Sequence, residues 1–168
     1  MDRREFASLV PALLAAVAFT PEASAQQGDM DHPVMGKPTV GPSGGGKTAG
    51  PLPELVSGVY QPGESYSSAP GRSSQRYLAG MLKAGNIQVE MHETHQVVGA
   101  VHEPVGKHLH NEIWLVRDGV CELTTNGVTR RMVAGDVGLC CAGDLHYVRN
   151  AGDTPCNYFV ITVGPPEA

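Results

Sequence analysis

Downstream of about residue 75 the chain is written in short apolar stretches separated by turn residues. Ile87, Val89 and Met91 alternate with polar neighbours, the period-2 signature of a strand. Further strand candidates are the apolar runs over 97–101 and 113–116, the pair 121–125 and 128–133, and the stretches 137–141, 145–149 and 158–163. Asn126-Gly127 lies between the members of that pair and is the strongest short hairpin signal, because both central residues of a type I′ turn need positive φ. Asp118-Gly119 and Ala134-Gly135-Asp136 mark two more turns. Residues 53–80 are less patterned and add either one helical turn or an edge strand. Seven or eight short strands at regular spacing, with no amphipathic helix among them, predict an antiparallel sandwich or barrel.

Composition points the same way. The 168 residues include 21 Gly and 13 Pro, an excess that disfavours a helical bundle and suits tight turns. A net charge of −5 without any basic run argues against a nucleic-acid partner.

The first 25 residues read as a leader. Arg3-Arg4 precedes an apolar run over 9–19, and Ala23-Ser24-Ala25 supplies the small residues of a cleavage site. That run is shorter than the roughly 20 residues a bilayer-spanning helix needs, so no stable membrane insertion is expected after cleavage. Arg3-Arg4-Glu5-Phe6 resembles the twin-arginine address, which implies export to the periplasm of an already folded protein. Residues 26–52 follow as a Gly/Pro-rich tether without hydrophobic periodicity, and 53–168 form the folded domain. Within the tether, Gly41 to Thr48 spell the phosphate-binding pattern G-x-x-x-x-G-K-[ST]. Pro51 and Pro53 deny it the helix that cradles phosphate, so no nucleotide site is assigned.

Candidate chemistry lies in the histidines. His108, His110 and Glu112 occupy alternate positions, which on one extended segment puts them on one face. His146 follows on another strand candidate. Imidazoles and a carboxylate converging in a barrel would hold one divalent transition metal, with Fe, Mn, Zn, Ni and Cu all compatible. His92, Glu93, His95 and His102 lack the H-E-x-x-H spacing of a zinc-protease helix and read as rim or turn residues. Trp114 reads as core or cavity wall, and Tyr147 points away from His146 along the same strand.

The spacing around these residues resembles the cupin superfamily. Gly135, then Cys141-Ala142-Gly143, then His146 and Asn150 follow the spacing of its second motif, with Cys141 where the family has proline. The H-x-H before Glu112, and Gly119 after it, resemble the end of the first motif. Aligned without gaps from Gly119, His108 takes the place of the family's second histidine and Gly106 that of the first, and His110 is extra; a gapped alignment keeps His108 and His110 as the pair. His102 is a further substitute for the missing histidine. The resemblance covers about 87–163 and implies an all-β, antiparallel double-stranded β-helix, a jelly-roll barrel. It further implies metal ligation by His108, His110, Glu112 and His146, and a homodimer built through edge strands.

Two functions follow as expectations. One is a metal-dependent enzyme of dioxygenase or isomerase type acting on a small molecule; the other is a non-catalytic periplasmic module that binds or senses a ligand. No Arg or Lys pair is obviously aimed at a substrate carboxylate, though Arg130, Arg131 and Arg149 could lie near the cavity. Cys121, Cys140, Cys141 and Cys156 allow three pairings. A bridge from Cys140 or Cys141 to Cys121 or Cys156, soft-metal ligation by Cys141 and simple core thiols are all open at this level.

Overall fold

The computed structural model describes residues 51–166, and the expected leader (1–25) and all but the end of the expected tether (26–52) lie outside them. The described chain forms nine strands: β1 (Tyr66–Ala69), β2 (Arg72–Leu82), β3 (Ile87–Gln96), β4 (Asn111–Asp118), β5 (Val120–Thr125), β6 (Val128–Val133), β7 (Val137–Cys140), β8 (His146–Asn150) and β9 (Cys156–Gly164). They make a six-stranded sheet in the order β1-β2-β3-β9-β4-β7 and a three-stranded sheet in the order β6-β5-β8. All strand pairs are antiparallel. No helix among the described residues is long and apolar enough to cross a membrane.

Strand register decides what faces inward. Glu112, Trp114 and Val116 of β4 pair with Thr162, Val160 and Tyr158 of β9. Those three β9 residues pair in turn with Glu90, His92 and Thr94 of β3. Because side chains alternate across a strand, these rows share the inner face. The apolar core is made by Trp114, Val116, Val148, Tyr158 and Val160 together with Cys121, Leu123, Met132, Cys140 and Cys156, drawn from both sheets. Burying each of the larger apolar side chains contributes roughly 1.5–3 kcal/mol.

The remaining inner face of β2 and β3 is polar. Ser74 and Thr94 hydroxyls meet at 3.1 Å, and the Arg76 guanidinium donates from Nε to Glu90 Oε1 at 2.8 Å. Ile87, Val89 and Met91, whose alternation marks β3, are only half-buried, while Glu90, Thr94 and Gln96 between and beyond them are buried. The polar inner face also explains why β2 carries no apolar signature.

Residues 53–80 resolve as edge strand β1 and most of β2 rather than as a helical turn. The apolar run over 97–101 is a turn instead of a strand. Gly99 stands at φ 75°, the Ala100 amide donates to the Val97 carbonyl at 3.2 Å, and Val97, Val98 and Val101 are exposed. The β5–β6 hairpin does turn on Asn126 (φ 48°) and Gly127 (φ 81°). An added Cβ at Gly127 would meet nothing within 4 Å, so its penalty is purely conformational. Gly127→Ala should therefore lower stability by about 1–2 kcal/mol in urea unfolding. Asn126→Gly relieves the positive φ but removes the bonds from the Leu145 amide to Oδ1 at 3.0 Å and from Nδ2 to Asp144 at 2.8 Å, so it should also lower stability, by about 1 kcal/mol.

Candidate metal centre

Three separate segments bring the candidate ligands together. Glu112 comes from the inner face of β4 and His146 begins β8. His108 lies on the loop before β4, and backbone bonds fasten that loop in place. The Glu103 amide donates to Val148 O at 3.2 Å, and Gly106 and His146 exchange two amide–carbonyl bonds at 2.8 and 3.0 Å. Residues 103–106 thus run beside β8, and the Gly143 amide caps the His108 carbonyl at 2.8 Å.

One donor atom from each of His108, Glu112 and His146 lies within 4.8 Å of the other two. His146 Nε2 is 2.9 Å from Glu112 Oε2, and His108 Nε2 is 3.7 Å from Glu112 Oε1. Two ligands bound at about 2.1 Å to one tetrahedral or octahedral ion stand roughly 3.0–3.4 Å apart, so these separations suit a shared cation. His110 is placed differently. Its Nε2 is 3.2 Å from Glu112 Oε1 and its ring stacks on His108 at 4.6 Å, but it is not part of the mutual cluster.

Burial opposes ionisation of Glu112, yet hydrogen bonds with His110 and His146 and the nearby imidazole charges outweigh it, holding the carboxyl at about 2. Glu112 is therefore a carboxylate at neutral pH, as a ligand must be. Burial likewise disfavours charge on His146, and Glu112 reverses the balance and raises it. His146 Nδ1 lies 3.3 Å from both the Asp144 carbonyl and Cys140 Sγ. The carbonyl can only accept, so it fixes the proton on Nδ1 and reserves Nε2 for an ion. Burial, then the charges of Asp144 and Glu112, push the Cys140 thiol up to about 11, so it stays neutral.

Gly106 faces this cluster. A Cβ there would lie 2.8 Å from His146 Nε2 and 2.9 Å from His108 Nε2. The position that the ungapped alignment gives to a first histidine is thus filled by ligating nitrogens. His102 does not replace it, being exposed with Nδ1 against the Glu103 carbonyl. Trp114 is fully buried with its ring 5.4 Å from that of His146, both core and site wall. The Tyr147 ring lies 4.4 Å from that of His102, tilted by 33°.

Several expectations need correction. Arg130, Arg131 and Arg149 are exposed, and Arg149 is spent on Glu122. The buried arginine is Arg76, with Arg72 close behind on the same inner face of β2. Neither carries a sequence signal beyond its charge within an unpatterned stretch. His92 is not a rim or turn residue; it sits in β3 with Nδ1 at 2.9 and 3.0 Å from the two Glu90 oxygens. Glu93 and His95 also lie within β3. Of the cysteine alternatives left open, the bridge from Cys140 or Cys141 is not made. All four cysteines are free thiols, with Cys140 against His146, Cys141 exposed, and Cys121 and Cys156 neighbours in the core. The surface depression lined by Leu55, Val56, Leu82 and Lys83 holds none of the candidate ligands.

Residues 92–162 match the cupin domain family. No curated protein matches the chain. Among solved structures, an RmlC-like cupin from Shewanella frigidimarina is similar at 18% identity and a TM-score of 0.50, over 62% of this chain and 86% of that one. KdgF from a Halomonas species is similar at 15% identity and a TM-score of 0.53, over 67% of this chain and 96% of that one. At such identities the likeness speaks for the fold. The antiparallel barrel, the family match running from β3 to β9 and these neighbours together give the described residues a cupin-type β-barrel fold.

Proposed function

We propose that this protein is an exported cupin that binds one divalent transition metal through His108, Glu112 and His146 and uses it to act on a small molecule. The observation that carries the reading is the convergence of three donor atoms within 4.8 Å from a loop and from strands in both sheets. Two histidines and one carboxylate on one side of an ion leave coordination positions open, the donor set of non-haem iron oxygenases. A dioxygenase-type enzyme is therefore favoured over an isomerase. When bound, the ion supplies Lewis acidity and, for iron or manganese, redox capacity.

The protein's own residues do the rest. Asp144 and Cys140 orient the His146 ring, and Trp114 closes the inner wall beside it against water. His110 supports the Glu112 carboxylate and stands ready to replace His108. Export rests on the leader-like first 25 residues. A non-catalytic periplasmic binding or sensing module is the second reading, and Gly106 favours it by withholding the histidine that a four-ligand site would have.

Elemental analysis of protein taken from its native compartment decides between them. The enzyme reading expects about one iron or manganese per chain and oxygen uptake with a small substrate; a folded, metal-free protein without turnover supports the module. His146→Ala should abolish bound metal while circular dichroism and melting remain those of a folded barrel; retention of the ion would overturn the assignment. Cys140→Ala should weaken zinc affinity by roughly tenfold through looser aim of the His146 ring, with Cys140→Ser recovering part of the loss.

A further inference from the structure

Cys121 on β5 and Cys156 at the start of β9 are both fully buried, and they come from different sheets. Their strands converge at the end of the barrel away from the metal ligands. Cys121 pairs with Asn150 of β8 in the small sheet, and Cys156 pairs with Gln96 of β3 in the large one. Asn150 Nδ2 then donates to the Gln96 carbonyl at 3.0 Å, so the two rungs are joined directly across the gap between the sheets. The turn between β4 and β5 closes the same corner. Gly119 stands there at φ 76°, and a Cβ on it would lie 2.6 Å from Cys156 Cα and 2.8 Å from Cys156 Cβ. The backbone just before Cys121 therefore touches that of Cys156.

In this corner the two thiols are hydrogen-bonded to one another. The bond, and then burial, raise the Cys121 thiol, whereas Cys156 is lowered because the bond stabilises its thiolate against the opposing effect of burial. Cys121 is thus the donor and Cys156 the acceptor. A thiol held towards its thiolate form beside a second thiol is the arrangement from which a disulfide forms.

Cys140 and Cys141 do not compete for Cys156. Cys140 pairs with Glu112, and Glu112 with Thr162. Cys156 is six residues from Thr162 along β9. At about 3.3 Å per residue that is roughly 20 Å, far beyond the roughly 7 Å between Cα atoms that a bridge tolerates.

We propose that Cys121 and Cys156 are a disulfide-forming pair, which closes a bridge between the two sheets when the chain meets a disulfide oxidant. The Cys156 thiolate attacks one sulfur of the oxidant and displaces the other as a thiol. Cys121 then gives up its proton, attacks the Cys156 sulfur of the mixed disulfide and displaces the second thiol. One S–S bond forms in the protein and one breaks in the oxidant, which takes up two electrons and two protons. Because both thiols are shielded from solvent, the exchange takes place during folding or on opening of the β4–β5 corner. The bridge constrains the unfolded chain between β5 and β9 and leaves the ligand cluster untouched, so it stands independently of the metal reading.

The test unfolds the full chain in urea with dithiothreitol and refolds it in parallel with dithiothreitol or with a mixture of oxidised and reduced glutathione. In the glutathione sample two of the four thiols should resist maleimide, and the mass of the chain should fall by two hydrogens. Tryptic mapping should find the peptide carrying Cys121 joined to the one carrying Cys156. The oxidised protein should melt about 10 °C above the reduced one. Cys156→Ala should melt alike in both buffers, and Cys141→Ser should keep both the bridge and the shift. Four reactive thiols after refolding in glutathione, or a bridge made through Cys140 or Cys141, would overturn the proposal. A Cys121–Cys156 bridge that leaves melting unchanged or lowers it would show a corner distorted to accept it, and would overturn it too. Should Cys156→Ala fail to fold, the peptide map of the unaltered chain decides.

Discussion

The contact on which the site depends is the one between Glu112 and His146. It joins a strand of the large sheet to a strand of the small one, inside the barrel and away from bulk water. A carboxylate and an imidazole 2.9 Å apart in such surroundings are stable only while proton or cation bridges them. Everything nearby serves that pair: the backbone exchange between Gly106 and His146, the carbonyl of Asp144 on the far ring nitrogen, and His110 on the second carboxylate oxygen. The same geometry that makes the pair costly without a bridge makes it a ready cation site.

The interior is divided between an apolar half and a charged half. Val116, Leu123, Met132 and Val148 provide burial that drives collapse. Arg76, Glu90 and Glu103 oppose it, because a buried ion pair returns in attraction little more than it loses in hydration. Burial pushes the Glu103 carboxyl up, with Arg72 and the Tyr158 hydroxyl pulling the other way, while Glu90 is held down because His92 and Arg76 together outweigh its burial. A stable fold has no need of such a half. Its cost is carried by the apolar half.

The strand pattern was legible wherever apolar residues alternate or flank a strong turn. Asn126-Gly127 located the β5–β6 hairpin because its backbone geometry admits few residue types. Glu112 and His146 were legible through the spacing of the residues around them. The inner face of β2 was not legible: Ser74 and Arg76 lie in a stretch without apolar pattern, and only pairing with Thr94 and His92 turns them inward. Histidine count alone could not rank His110 below His108, because their difference arises from where the 103–110 loop is pinned. The run over 97–101 misled for a related reason, its composition being that of a strand while Gly99 takes a backbone conformation no strand can hold.

Gly106 has a consequence for how such a centre changes over time. Any β-carbon at this point would collide with two imidazole nitrogens at under 3 Å. Installing a fourth donor here would therefore require both rings to retreat as well, and neither change has value without the other. The three-donor arrangement is locked in by its own packing.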